Sequence, residues 1–311
     1  MKNDDLLLDV RDLSVSFRLY DSMLEQYDLQ VISNLSLNVK PGEIVAIAGS
    51  SGSGKSLLAH AVLGLLPPNA SCSGSMLYKG VILTPEEQKR LRGSDIALVP
   101  QSVNFLDPLM RVGTQVKKGE RSEKAQKAQK EAFERFQLEE RVARLYPFEL
   151  SGGMARRVLV STAIVSDADL IIADEPTPGL DVEIALEALQ CFREFADQGK
   201  GVVLITHDID LAFNIADRIA VFYAGTTLEV TDAKDFREGP EALRHPYSKA
   251  LWNALPQNGF KPIPGFQPYA RALPEGCLFG PRCPYYTEAC GQPGIPMREL
   301  REGLVRCVHA T

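Results

Sequence analysis

The residues best suited to chemistry begin with Gly49-Ser50-Ser51-Gly52-Ser53-Gly54-Lys55-Ser56. Glycines at these spacings let backbone N–H groups curl around phosphate oxygens. A helix beginning near Ser56 would point its positive end at the same oxygens. Lys55 can reach the β- and γ-phosphates of a nucleotide, and the Ser56 hydroxyl can ligate Mg²⁺. Downstream, Leu170-Ile171-Ile172-Ala173-Asp174-Glu175 puts two acids at the exit of an apolar strand. Asp174 would hold Mg²⁺ through water. Glu175 is placed to orient or deprotonate an attacking water. His207 follows another strand on the same sheet edge, where it can touch the γ-phosphate and register its loss. Gln101 follows the strand-like Ile96–Val99, and its amide could bind both Mg²⁺ and the attacking water.

Leu150-Ser151-Gly152-Gly153-Met154 lies between the phosphate loop and the acids. A generic phosphate-loop enzyme has no use for a Ser-Gly-Gly element at that distance. It makes chemical sense if Ser151 and the glycine amides reach a γ-phosphate held by another subunit's loop. The pattern therefore predicts an ATP site completed by a second molecule.

These side chains need a sheet to carry them. Leu6–Phe17 and Val31–Val39 alternate apolar and polar positions, which predicts antiparallel strands at a sheet edge. Pro41-Gly42 is a turn, Glu43–Ala48 a buried strand, and Ser56–Leu65 a helix stopped by Pro67-Pro68. Strand, glycine loop and helix in that order are the context a phosphate loop requires. Residues 114–145 are dense in Lys, Glu, Arg, Gln and Ala, which predicts exposed helices with a solvated, alternating-charge face. Strands at Leu170–Ala173, Gly201–Thr206 and Ile219–Tyr223 alternate with helices at Val158–Val165 and Ile209–Ala216. That order predicts an open, mainly parallel α/β sheet with a mostly helical insertion at about 102–165. After about 232 the composition shifts, and from Pro256 the chain is rich in Pro and Gly. Such a segment buries little and usually needs a staple.

Bulk composition narrows the class. With 45% hydrophobic and 24% charged residues, the chain reads as a soluble globular protein. A net charge of −6 gives no electrostatic reason for non-specific nucleic-acid binding. The longest apolar stretch, Leu57–Leu66, is well short of the ~20 residues a membrane span needs. Met1-Lys2-Asn3-Asp4-Asp5 carries acids where a signal peptide needs a basic region. The expectation is a cytosolic chain whose membrane role is peripheral.

Taken in order, the phosphate loop, Gln101, Leu150–Met154, Leu170–Glu175, Leu180-Asp181 and His207 resemble the ATP-binding subunits of ABC transporters over about 1–232. Further stretches resemble the oligopeptide/dipeptide/nickel importer ATPases. They are Leu91-Arg92-Gly93-Ser94-Asp95-Ile96, Tyr146-Pro147, Met154, His245-Pro246-Tyr247, Gly276-Cys277 and Pro281-Arg282-Cys283-Pro284. The resemblance implies a phosphate-loop ABC ATPase core with an antiparallel β subdomain, a helical subdomain and a loop-rich extension over 233–311. It also implies ATP and Mg²⁺ as cofactors, the metal near Ser56, Gln101 and Asp174. The chain would sit on the cytoplasmic face of the inner membrane, bound to two transmembrane permease subunits fed by an extracellular substrate-binding protein. Its cargo would be peptides or nickel and other metal chelates. ATP would lie between this chain and a second ATPase chain, a related partner rather than a copy, with Asp181 in the loop coupling the two sites. An aromatic near the first strand would stack on adenine, and Phe17 is favoured over Tyr20. Departures from the family pattern are Arg156, where Gln is common, and Pro178-Gly179, where a small residue and Ala are typical. They put equal activity of the two sites in doubt.

Cys277, Cys283, Cys290 and Cys307 share the C-terminal segment, separated by five, six and sixteen residues. Four thiolates suit Zn²⁺ or an iron–sulfur cluster. Zinc modules have shorter gaps within pairs, and a Cys-Pro step such as Cys283-Pro284 is found near clusters. The resemblance implies a [4Fe–4S] cluster. Zinc, or reduced or disulfide-linked thiols, are the other readings; His309 could replace one ligand but reads better as a surface residue. A soluble ABC ATPase acting on nucleic acid or the ribosome is the alternative function. It would call for long heptad arms or two motif sets, and the sequence has neither.

Overall fold

The computed structural model describes residues 6–310, so the acidic Met1–Asp5 and Thr311 lie outside the described residues. The N-terminal alternation forms β1 (Leu8–Tyr20) and β2 (Gln26–Val39), paired antiparallel with Leu8 opposite Val39. The apolar run forms β3 (Ile44–Gly49), buried at every residue, and the glycine loop leads from it into α1 (Lys55–Val62). Next come β4 (Ala70–Tyr78), β5 (Val81–Ile82) and α2 (Pro85–Leu91). No alternation marks β4, a mostly exposed run of Ser, Cys and Gly; its pairing with β1 makes it a strand. The result is a four-stranded antiparallel sheet ordered β2-β1-β4-β5.

β6 (Ile96–Val99) opens the second half, followed by the helical insertion with α3 (Val112–Val116), α4 (Glu123–Arg135) and α5 (Gly152–Ile164). In α4 the buried residues are Ala125, Gln129, Ala132 and Phe133, a single helical stripe. The opposite face carries exposed Lys127–Glu131 and Lys130–Glu134 pairs, the solvated face expected from the charge pattern. Then follow β7 (Leu170–Asp174), α6 (Val182–Asp197), β8 (Gly201–Ile205), α7 (Ile209–Ile215), β9 (Arg218–Tyr223) and β10 (Thr226–Asp232). The last segment adds α8 (Ala233–Glu238), α9 (Pro246–Asn253), β11 (Arg298–Leu300) and β12 (Gly303–Val305). The eight-stranded sheet runs β11-β12-β10-β9-β3-β8-β7-β6. From β9 to β6 its strands are parallel, and the three strands beyond β9 are antiparallel.

Period-two alternation splits β3 between two cores. Ile44, Ala46 and Ala48 face the helices, while Val45 and Ile47 face α1 and the antiparallel sheet. Both faces of β3 are thus covered, which holds the phosphate loop at its exit.

From Pro256 the C-terminal segment is mostly exposed or half-buried, as its composition predicts, and the stretch before it reaches the core. Phe236, Leu243, Tyr247 and Phe279 join the helix-side core, and β12 pairs with β10 through Glu229–Val305 and Val230–Leu304. Its tie is Arg244. This guanidinium bonds Asp235 at 2.8 Å, faces Glu229 at 3.4 Å and donates to the Leu300 carbonyl at 2.6 Å. Glu229, fully buried, also accepts the backbone N–H groups of Arg244 and His245. Burial pushes the Glu229 pKa up, and these donors pull it back. Removing one partner of such a network strands a buried charge. Arg244→Met is expected to cost about 3–5 kcal/mol, read as a lowered midpoint in urea unfolding; a loss within error would contradict this role.

Candidate active site

The predicted residues converge where β3, β7 and β8 end. Gly54 takes φ +91°, a left-handed conformation open to glycine, and caps α1. A Cβ there would meet Ile32 at 3.2 Å, so the loop also packs closely against β2. Lys55 is buried and its Nζ donates to the carbonyls of Gly49 (2.9 Å) and Ser50 (3.0 Å), turning the ammonium inward along its own loop. Burial lowers its pKa, against the pull of Glu175 and Asp174.

Asp174 ends β7 and is 3% exposed. Its Oδ1 is buried without a hydrogen-bond partner. Burial raises the carboxyl pKa, and the Ser56 hydroxyl opposes the rise. A carboxylate kept in a dry site with one oxygen unsatisfied is expensive unless a cation supplies the missing interaction. The donor set of Asp174 and Ser56, all hard oxygen, suits Mg²⁺.

Glu175 follows in the left-handed region at φ +47°, with its N–H bonded to the Ile205 carbonyl at 2.9 Å. A non-glycine residue pays strain of order 1 kcal/mol there, and the turn aims its carboxylate across the strand ends. One carboxylate oxygen accepts from Gln101 Nε2 at 2.9 Å, and the other lies 3.3 Å from His207 Nδ1. Thus Gln101, Glu175 and His207, distant in sequence, form one polar chain at the sheet edge.

Leu150–Met154 opens α5. Leu150 and Met154 pack against the core, whereas Ser151 and Gly152 are exposed. Met154 thus serves as an apolar anchor beneath an exposed Ser-Gly-Gly. The Ser151 hydroxyl caps the helix, accepting from the Met154 N–H at 3.3 Å, and none of the described hydrogen bonds carries it to this chain's own phosphate loop. Asp181 caps α6 through the Ile184 N–H. Gly179 takes φ +82°, and its carbonyl would lie 3.4 Å from a Cβ on Gly153, so the Pro178-Gly179 turn runs against the start of α5.

Phe17 is half-buried against the core between α1 and the antiparallel sheet, and Tyr20 is 60% exposed. Cys277, Cys283, Cys290 and Cys307, all free thiols, line one small cavity with His245 and His309. Among the described residues, no group of three or more His, Cys, Asp or Glu stands at metal-holding distances. Burial pushes the Cys277 thiol up to about 11 and raises Cys283 and Cys307. The His309 ring bonds the Thr287 hydroxyl at 2.9 Å.

Sequence patterns give no sign of two contacts. Arg156 is buried, and its guanidinium donates to the carbonyls of Pro100 (2.8 Å) and Gln101, tying α5 to the turn that carries Gln101. Gln267, in an aperiodic stretch of the C-terminal segment, accepts the Ser50 hydroxyl at 2.5 Å.

The chain is similar to known proteins along most of its length. The ABC transporter family matches residues 32–178, and the oligopeptide/dipeptide transporter C-terminal region matches residues 228–290. The oligopeptide transport ATP-binding protein OppD of Escherichia coli is 35% identical over 320 residues, covering 97% of this chain and 92% of the relative. The dipeptide transport ATP-binding protein DppD of Bacillus subtilis is 35% identical over 314 residues, covering 94% and 91%. A dimeric ATP-binding cassette in a post-hydrolysis state, bound to ADP and Pi, superposes with a TM-score of 0.64 at 28% identity, covering 73% of this chain and 98% of that one. Similarity of that extent, over both the nucleotide motifs and the C-terminal segment, places this chain in the oligopeptide/dipeptide family of ABC transporter ATP-binding subunits.

Proposed function

We propose that this chain hydrolyses ATP to drive a membrane importer of oligopeptides or dipeptides. The observation that carries this reading is the meeting of Lys55, Asp174, Glu175, Gln101 and His207 at one sheet edge. ATP enters with its phosphates on Gly49–Ser56. Lys55 exchanges its carbonyl partners for phosphate oxygens. Ser56 and Asp174, together with Gln101, would hold Mg²⁺, which would supply charge neutralisation at the transferring phosphoryl group. Glu175 orients the attacking water, and His207 contacts the γ-phosphate. Phe17 stacks on adenine.

A second ATPase chain, related rather than identical, presents its own Ser-Gly-Gly to this chain's nucleotide. Leu150–Met154 returns the contact, and Asp181 lies in the loop between the two sites. The exposure of Ser151 and Gly152 above a packed Leu150 and Met154 supports that role. ATP closes the pair and hydrolysis reopens it, a switch driven by γ-phosphate contacts. Two permease subunits dock where Phe105, Leu109 and Met110 are exposed beside a largely apolar cavity of about 600 Å³. No described helix is long and apolar enough to cross a membrane, which fits a peripheral subunit on the cytoplasmic face of the inner membrane. An external binding protein delivers the cargo. The names of the two relatives favour peptides over nickel chelates and give no support to a nucleic-acid or ribosomal role.

The nucleotide domain spans 1–232 and the extension 233–311. In the extension, Cys277, Cys283, Cys290 and Cys307 would hold a [4Fe–4S] cluster after drawing closer together, since no three of them stand at metal-holding distances. The lining of one cavity by all four thiols supports this over scattered free thiols.

Three outcomes follow. Glu175→Gln should cut phosphate release by about 10²–10⁴-fold and accumulate an ATP-bound pair in gel filtration; wild-type turnover would remove Glu175 as base. Asp174→Asn should abolish the extra thermal stabilisation that Mg²⁺ adds to ATP, and in the wild type that increment should fade on acidification above the usual carboxylate range, because burial raises the Asp174 pKa and the proton competes with the metal. An intact Mg²⁺ increment in Asp174→Asn would refute the site. An anaerobic preparation should be brown with about four irons per chain; a colourless preparation containing zinc would refute the cluster.

A further inference from the structure

The phosphate loop is gripped from outside by the C-terminal extension. The Ser50 hydroxyl donates to Gln267 Oε1 at 2.5 Å, and Gln267 Nε2 lies 3.5 Å from the Gly52 carbonyl. From beneath, the buried Tyr247 hydroxyl lies against Ser50, whose polar groups oppose the rise that burial imposes on the phenol pKa. The segment carrying Gln267 is itself pinned on both sides. Arg282 donates to the carbonyls of Pro264 (2.7 Å) and Ile263 (2.9 Å) and to the Tyr223 hydroxyl at 3.2 Å. The Arg271 guanidinium sits 4.0 Å over the Tyr27 ring of β2. Gln267 is therefore presented by a stretch anchored to both sheets.

The inside of the loop explains why an outside brace matters. Lys55 Nζ now satisfies the Gly49 and Ser50 carbonyls. An ammonium that turns to a phosphate gains a stronger, charge-assisted partner, and the two carbonyls lose theirs. The loop must keep its curvature through that exchange, because its backbone N–H groups bind the phosphates. The Ser50–Gln267 bond uses a side chain and survives the exchange.

We propose that Gln267 is a positioning residue for ATP: by holding Ser50 it keeps the phosphate loop in its phosphate-accepting shape, so that the C-terminal extension sets nucleotide affinity. This rests on the reading of Gly49–Ser56 as the ATP phosphate site. An extension that only packs against the core would leave nucleotide affinity untouched.

The test compares full-length wild type, Gln267→Ala, Ser50→Ala, the double variant and Lys55→Ala. MANT-ATP fluorescence gives affinity, phosphate release gives KM and kcat, and thermal unfolding without nucleotide reports stability. Gln267→Ala and Ser50→Ala should each weaken MANT-ATP binding about three- to tenfold, the range of one hydrogen bond. In Gln267→Ala KM should rise to match, with kcat and the nucleotide-free midpoint unchanged. The double variant should lose less than the sum of the two single losses, since both single variants remove the Ser50–Gln267 bond. Wild-type affinity in Gln267→Ala, a lowered midpoint with unchanged KM, or additive losses in the double variant would overturn the brace. Wild-type binding in Lys55→Ala would instead overturn the ATP site, and the brace with it.

Discussion

Asp174 stands at the end of β7, sealed from water, with Oδ1 lacking any protein partner. Lys55 is close enough to feel its charge, yet gives its own hydrogen bonds to the carbonyls of its loop. A buried carboxylate left unsatisfied is costly, and the surrounding fold is arranged to hold that arrangement open. β3, covered on both faces, fixes the phosphate loop. Its parallel neighbour β8, and β7 beyond it, bring His207 and Glu175 to the same edge. Crevices outside the carboxyl ends of parallel strands are where open α/β sheets bind ligands. The unsatisfied oxygen fits the place of a Mg²⁺ ion that would accompany a nucleotide's phosphates.

Around this centre the other groups are parked on protein partners. Glu175 rests between Gln101 and His207. Arg156 links the turn at Gln101 to α5, whose exposed N-terminus carries Ser151. A shift of α5 would therefore reach Gln101 and, through it, Glu175. The Arg156 guanidinium holds the two carbonyls of Pro100 and Gln101 at once in its fixed fork. The C-terminal segment reaches the same centre from the opposite side, through Gln267 and Tyr247 on Ser50. Its β12 and the Arg244 network make it continuous with the large sheet.

The site was legible in sequence because its chemistry depends on residue type at fixed spacing. Gly49–Ser56, Asp174-Glu175 and His207 each sit at the exit of a strand that announces itself as a short apolar run. The strands in question, β3, β7 and β8, are buried throughout. β4 was illegible because its first six residues, Ala70–Ser75, are small, mainly polar and largely exposed, and they become a strand by pairing with β1. The sparse burial from Pro256 was legible in the Pro and Gly content; the packing of Phe279 on Tyr247 across the fold was not. Arg156 and Gln267 were hidden for a related reason. Their partners are a backbone carbonyl and a loop hydroxyl over long sequence separations, and no local pattern encodes such contacts.

The central claim is that the nucleotide held by this chain is completed by a second chain. A γ-phosphate-linked photoreactive ATP analogue, bound with Mg²⁺ and followed by peptide mapping, tests it directly. The dilute, isolated chain should be labelled at Gly49–Ser56 alone. Labelling at Leu150–Met154 should appear only when two ATPase chains associate. Equal labelling of Leu150–Met154 at all dilutions would show that the site is complete within one chain, and would contradict the account.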